Sequence, residues 1–280
     1  MKARRFGFMA IGGEWAIVIA ALVVLVGWPF GRLLYEAART PNVLAHLWSQ
    51  PELARAIRGT IVTSLGATVF ALVVGAGAAI AFWRLKVPGQ RLLAGGLLMP
   101  VLIRPFVCAL SMTQTYTAAG LTDHLMGLHF EWLFGAKGTT LVLGVQQVPI
   151  AFLIVAAAAH TRGGADLERA ARASGASAFT SMRTVTLPLL RPSLLAAAAL
   201  CFIAAASDFG VPAVLAIPAR YSTITTEIYR AMAFSSGGLA DPIARSALLI
   251  VVALVVLSAA ARLSRASVMG SRSSARAAVR

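Results

Sequence analysis

Asp166-Leu-Glu-Arg-Ala-Ala-Arg-Ala-Ser-Gly175-Ala-Ser-Ala-Phe179-Thr-Ser-Met-Arg-Thr-Val185-Thr-Leu187-Pro188 is a polar stretch set between two apolar blocks, 139–160 and 193–215. Two short helices can be read from it. Asp166 suits an N-cap, and the alanine-rich run 167–174 favours helix. Gly175 supplies a left-handed stop. Ser177 caps a second helix that carries Phe179, Met182 and Arg183. Pro188 disfavours helical geometry at Leu187, so the second helix is expected to end there. The prediction is a helix-turn-helix knob with an exposed Phe179 among arginines. An exposed aromatic in a basic setting suits docking of a partner. Physics alone also allows an amphipathic helix lying on a membrane surface.

The flanking blocks decide what the knob is attached to. Of the 280 residues, 59% are hydrophobic and 12% are charged, against about 25% charged in an ordinary soluble domain. Six blocks are apolar over about 20 residues, enough to cross a ~30 Å hydrocarbon core at 1.5 Å per residue. They cover 15–35, 60–83, 92–116, 139–160, 193–215 and 243–261. Lys2, Arg4 and Arg5 before an apolar run suggest a signal peptide. The run 15–35 is long and bulky and lacks a small-residue cleavage site, so it reads as a retained first span. The expected organisation is a segment 1–14, a six-span membrane domain 15–262 with a loop 161–192, and a basic tail 263–280. The expected fold class is an all-α membrane protein.

Charge sets the orientation. Sixteen Lys and Arg fall in the N-terminal segment, the 84–91 loop, the 161–192 loop and the tail, together with only two acids, Asp166 and Glu168, apart from Glu14 at the first membrane entry. That side is expected to be cytoplasmic, with both termini on it, in the inner (plasma) membrane. The net charge of +15 is therefore a topology signal. No stretch interleaves aromatics with basic residues as single-strand binders do, so nucleic acid is excluded as a partner. The tail is expected to be flexible and to touch anionic membrane lipid. Cys108 and Cys201 sit in apolar blocks without CxxC or CxH neighbours and read as packing residues. His124, His129 and Glu131 in an external segment read as structural or interfacial, and no metal site is expected.

At this point the polar stretch resembles the EAA loop of the permease subunits of type I, MetI-like ABC importers. That family's pattern is Glu-Ala-Ala, three residues, Gly, nine residues, Ile-x-Leu-Pro. The alanines fall on Ala170 and Ala171, the glycine on Gly175, the isoleucine position on Val185, and Leu-Pro on Leu187 and Pro188. One position departs: the motif Glu falls on Arg169, and the nearest acid is Glu168, about 100° away around a helix. The resemblance covers the chain from about Arg58 to the last span. It implies an ATP-binding-cassette ATPase dimer docked on the loop, an extracytoplasmic solute-binding protein, and a second permease chain, the same or a sister. It implies that 178–184 is the coupling helix, anchored by Phe179. Pro105-Phe-Val, Ser207-Asp-Phe-Gly210, Ile217-Pro-Ala-Arg-Tyr221 and Thr225-Thr-Glu-Ile-Tyr229 are similar to the branches importing iron(III), polyamines, thiamine or phosphonates. The resemblance is nearest to the iron(III) and phosphonate branches, 2-aminoethylphosphonate being one such solute.

No Walker A sequence of the GxxxxGK[ST] kind occurs in the chain. ATP would be used by a partner, and this chain is expected to bind no cofactor and to catalyse no reaction. An embedded enzyme would need a nucleophile-base pair or metal ligands at depth, and neither HExxH nor GxSxG is present. A secondary transporter is the rival from another class, but it would show internal repeats. Two charges lie deep in the apolar blocks, Arg104 in the third and Asp208 in the fifth. A charge at the bilayer centre costs roughly 2.5–3.5 kcal/mol on insertion scales and faces a bundle interior or a cavity. Pro105 interrupts helical hydrogen bonding beside Arg104, which is tolerated only where the backbone is buried or lines a cavity. Arg104, Pro105 and Asp208 are therefore the candidate path or gate residues. Arg104 and Asp208 are expected to approach each other, either as a structural salt bridge or as part of the path.

Overall fold

The computed structural model describes residues 18–28, 31, 32, 35, 51–84, 89–118, 120–162, 165–234, 242, 243, 245–256, 258 and 262. No strand occurs among the described residues. Among the described residues three helices are long and apolar enough to cross a membrane: α1 (Pro51–Arg84), α5 (Ala136–Arg162) and α7 (Ala178–Ser207). Between α1 and α5 come α2 (Gln90–Leu98), α3 (Pro105–Tyr116) and the short α4 (Leu121–Met126). The knob helix α6 is Ala165–Ala173. After α7 come α8 (Gly210–Leu215), α9 (Ile224–Phe234) and α10 (Arg245–Val256). The first expected span is only partly described, residues 18–28 being helical with a π turn at Val23–Gly27. The segment 1–14 and the tail 263–280 lie outside the described residues.

Helix α1 starts well before the expected position at 60. Pro51 supplies the pre-set backbone of a first helical residue, and Glu52 sits in the positive first turn, bonded to Arg55 at 2.8 Å. Helices α1, α5 and α7 pack on one another, and α9 packs on α1. The α1–α5 pair runs parallel, because Gly66 meets Thr140, Phe70 meets Gly144 and Gly75 meets Val148. A Cβ on Gly75 would lie 2.4 Å from the Val148 carbonyl oxygen. Close backbone approach through small residues is the packing that apolar solvent favours, because lipid offers no hydrophobic drive between helices. The same logic makes the core alanine-rich. Ala67, Ala109, Val142, Leu143, Ala205 and Leu215 pack toward one end, and Ala76, Ala79, Phe152, Val155, Leu190 and Ala197 toward the other.

Two expected spans are interrupted. The third, expected as one run over 92–116, breaks at Ile103 and Arg104, which are extended (φ −106°, ψ 124° and φ −61°, ψ 142°). Residues 90–102 and 105–126 point in directions 101° apart. The cause is Pro105, which forces its neighbour Arg104 out of helical geometry and then opens α3 as its first residue. The fifth, expected over 193–215, ends as a regular helix at Ser207. Asp208 is extended (φ −71°, ψ 130°), and α8 restarts at Gly210.

Candidate coupling knob and broken-helix gate

The knob is built as two capped helices. Helix α6 starts at Ala165, so Asp166 lies inside its first turn and not before it. Its C-terminus closes with two reversed bonds, Ala176 N–H to Ala171 O at 3.1 Å and Gly175 N–H to Arg172 O at 3.0 Å. That is the Schellman arrangement, and Gly175 takes the left-handed conformation it requires, with φ 89°. Ser177 is extended and its hydroxyl accepts the Thr180 N–H at 3.1 Å, capping the next helix.

The expected stop at Leu187 is absent. Leu187 is helical (φ −66°, ψ −44°), and α7 runs unbroken from Ala178 to Ser207. A π turn at Met182–Thr186 ends at the residue before Leu187, which itself precedes Pro188. The wider turn accommodates the missing proline N–H and the ring, so the helix is re-registered where a regular helix would break. The expected coupling helix, 178–184, is therefore the tip of a rod that continues through the membrane region.

Two faces separate on the knob. Phe179 is 66% exposed and Leu167 59%. Arg169, Ala170, Arg183 and Leu187 are also exposed, while Ala171, Met182 and Pro188 are half-buried. Phe179 and Arg183, four residues apart, share one face. Glu168 turns the other way and is 8% exposed. One carboxylate oxygen, Oε1, accepts Arg84 Nε at 3.0 Å and also Arg84 Nη2, and the other accepts Thr186 Oγ1 at 3.3 Å. Arg84 Nη2 also donates to the Ala178 carbonyl at 3.1 Å. Glu168 and Arg169 thus have opposite environments, as the 100° offset requires. The partner of Glu168 could not be foreseen, since Arg84 belongs to a different loop, 84–91.

At the other end the two helix breaks meet. A Cβ on Gly210 would lie 2.9 Å from Phe106 Cβ, so the restart of α8 sits directly on the start of α3. The expected Arg104–Asp208 ion pair is not found among the described residues. The Asp208 carboxylate instead accepts the Val211 N–H at 2.8 Å, and its main-chain oxygen accepts Thr225 Oγ1 at 3.1 Å. The physical reason is local: the break frees the Val211 N–H at the start of α8, and the carboxylate turns to it. Arg104 is exposed and Pro105 half-buried.

Sequence reasoning missed a second buried ion pair. Glu227 on α9 is 3% exposed and accepts Arg245 Nη1 of α10 at 3.2 Å and Arg230 Nη1 at 2.8 Å. In the sequence Glu227 stands before the last apolar block and Arg245 inside it, with nothing to join the two. Among the described residues no group of three or more His, Cys, Asp or Glu could hold a metal ion. His129 pairs with Asp123 at 3.3 Å instead.

No family model matches the chain. The trehalose transport system permease protein SugB of Mycobacterium tuberculosis is 31% identical over 274 residues, covering 91% of this chain and 93% of that one. The chain belongs to the permease family of ABC transporters. A second relative of this permease is the ferric transport system permease protein FbpB of Actinobacillus pleuropneumoniae, 24% identical over 227 residues. That match covers 77% of the permease but only 32% of FbpB. The fold of the permease is that of a bacterial alginate ABC transporter solved with an alginate pentasaccharide-bound periplasmic protein, at TM-score 0.76 and 18% identity, over 92% of the permease and 94% of that chain. The permease is thus an all-α membrane protein with the fold of that transporter, and the names of its relatives span unlike solutes.

Proposed function

We propose that this permease forms half of the translocation path of an ABC importer, with an ATPase dimer docked on the α6–α7 knob and a solute-binding protein on the opposite face. The carrying observation is the knob itself. It is rigidly capped, projects Phe179 and Arg183 outward, and is continuous through α7 with the membrane-spanning bundle. Closure of the ATPases would push on Phe179 and move α7 as a lever. The periplasmic protein bound to the alginate transporter supports the second partner. A second permease chain, the same or a sister, completes the path, and lipid surrounds it. The chain hydrolyses nothing itself.

The broken third and fifth spans, with Arg104, Pro105 and Asp208, form the gate region in this reading. Interrupted helices at membrane depth are found where backbone lines a cavity. The solute class read from the subgroup motifs is iron(III) or a phosphonate, and the ferric relative supports the first. Polyamine and thiamine are the alternatives within the class, and the trehalose relative adds a sugar.

The test is purification of the full-length permease from detergent-solubilised native membranes, with mass spectrometry of its partners. Recovery of an ATPase chain and a binding protein is expected, and Phe179→Ala should reduce ATPase recovery at least tenfold. Recovery of the permease alone, without nucleotide hydrolysis, would replace this reading with a secondary transporter.

A further inference from the structure

We propose that Arg84 is a positioning residue that couples the knob to α1, so that nucleotide-driven motion of the knob moves α1 together with α7. The inference rests on the importer reading above. Helix α7 needs no linkage, because the knob's second helix is its own N-terminal end. Helix α1 is a separate element whose last residue is Arg84. From there one side chain reaches both halves of the knob, with Nε and Nη2 on the Glu168 carboxylate of α6 and Nη2 on the Ala178 carbonyl at the tip of α7. Thr186 on α7 closes the triangle by donating to the second Glu168 oxygen.

The chemistry suits a rigid link. The planar guanidinium fork fixes direction as well as distance, which an ammonium cannot do. The two side chains are only 15% and 11% exposed, so water does not replace the contact cheaply. Behind Arg84, the last turns of α1 are seated in the bundle. Phe82 stacks edge-on against Phe152 of α5, and Ala76 and Ala79 pack in the cluster with Leu190 and Ala197 of α7. A displacement delivered to Glu168 therefore acts on a helix end already held by packing. Arg169, one residue on, faces outward and takes no part in this triangle.

The assembled complex, carrying its ATPase and held in lipid nanodiscs, is compared with and without ATP and vanadate by hydrogen exchange. In the unaltered protein, trapping is expected to change exchange at least threefold in both 72–84 and 178–190. Arg84→Met should keep the response in 178–190 and lose it in 72–84. The reversed pair Arg84→Glu with Glu168→Arg should restore it, which a merely structural loss would not. If Arg84→Met does not assemble, Arg84→Lys serves, and its response in 72–84 should fall at least twofold. An undiminished response in 72–84 in these variants, or none there in the unaltered complex, overturns the proposal and leaves the importer reading standing. Failure of the unaltered permease to bring down any ATPase overturns both.

Discussion

Gly59 and Ser222 meet backbone to backbone: a Cβ on Gly59 would lie 2.1 Å from the Ser222 carbonyl oxygen. Around this contact Tyr221 Oη donates to the Gly59 carbonyl at 3.2 Å, and the Ile224 N–H donates to Thr60 Oγ1 at 2.8 Å. Burial pushes the Tyr221 phenol above its ordinary value, partly opposed by the nearby Arg58, so it stays protonated and able to donate. These contacts fix the start of α9 on α1.

Gly59→Ala should therefore destabilise the permease. In an open helix interior the change gains about 0.5–1 kcal/mol. Here the methyl overlaps a carbonyl, and overpacking of this kind costs roughly 1–3 kcal/mol. The melting temperature in detergent should fall, and a rise would show that the 221–224 segment yields freely. Thr60→Ala should also lower it, by leaving the buried Ile224 N–H unpaired at about 1–3 kcal/mol.

Gly175 tests the knob by a different cause. No atom would crowd a Cβ there, so only its φ of 89° opposes a side chain. Gly175→Ala should cost roughly 1–2 kcal/mol, and Gly175→Asn distinctly less, because asparagine adopts the left-handed region more readily. Limited trypsin digestion at Arg172 and Arg183 reports the opening. Faster cleavage is expected for the alanine variant than for the asparagine variant. Equal rates would mean that the turn is not what holds α6 to α7.

The knob's local chemistry was legible because it is written in consecutive residues: a capping serine, a left-handed glycine and an alanine-rich run. Hydropathy found the blocks that α1, α5 and α7 occupy. Pro105 marked an interruption beside Arg104, but averaging over a whole block hid both the 101° turn there and the end of the regular helix at Ser207. Pro188 misled in the opposite direction, since a π turn three-dimensionally re-registers the helix without any marker in composition. The Arg84–Glu168 and Glu227–Arg245 pairs were invisible for a simpler reason. Each joins two elements whose relative placement depends on packing across the whole bundle.

Asp208 should behave as a helix cap and not as the partner of Arg104. Asp208→Asn keeps an oxygen for the Val211 N–H and should lose less stability than Asp208→Ala, for which about 0.5–2 kcal/mol is expected. The double reversal Arg104→Asp with Asp208→Arg should rescue neither stability nor ATP hydrolysis of the purified complex. Rescue would mean that the two residues pair in another conformation of the transport cycle.

Glu227 carries two arginines in unequal surroundings, which makes the last prediction a comparison within one site. The Arg230 side chain is 50% exposed, and exposed ion pairs contribute about 0–1 kcal/mol. Arg245 is 8% exposed and stands at the start of the apolar α10. Replacing it leaves a buried carboxylate with only the outer arginine, and breaking a buried pair in this way costs about 3–5 kcal/mol. Arg230→Met should thus be nearly silent in detergent melting, while Arg245→Met and Glu227→Met should each be severe. Replacing both charges removes the uncompensated group, and an apolar pair of similar volume is often neutral or stabilising. Glu227→Met with Arg245→Met should consequently melt well above either single variant. Additive losses in that double variant would show that packing at α9 and α10, and not the buried charge, holds the last helix in place.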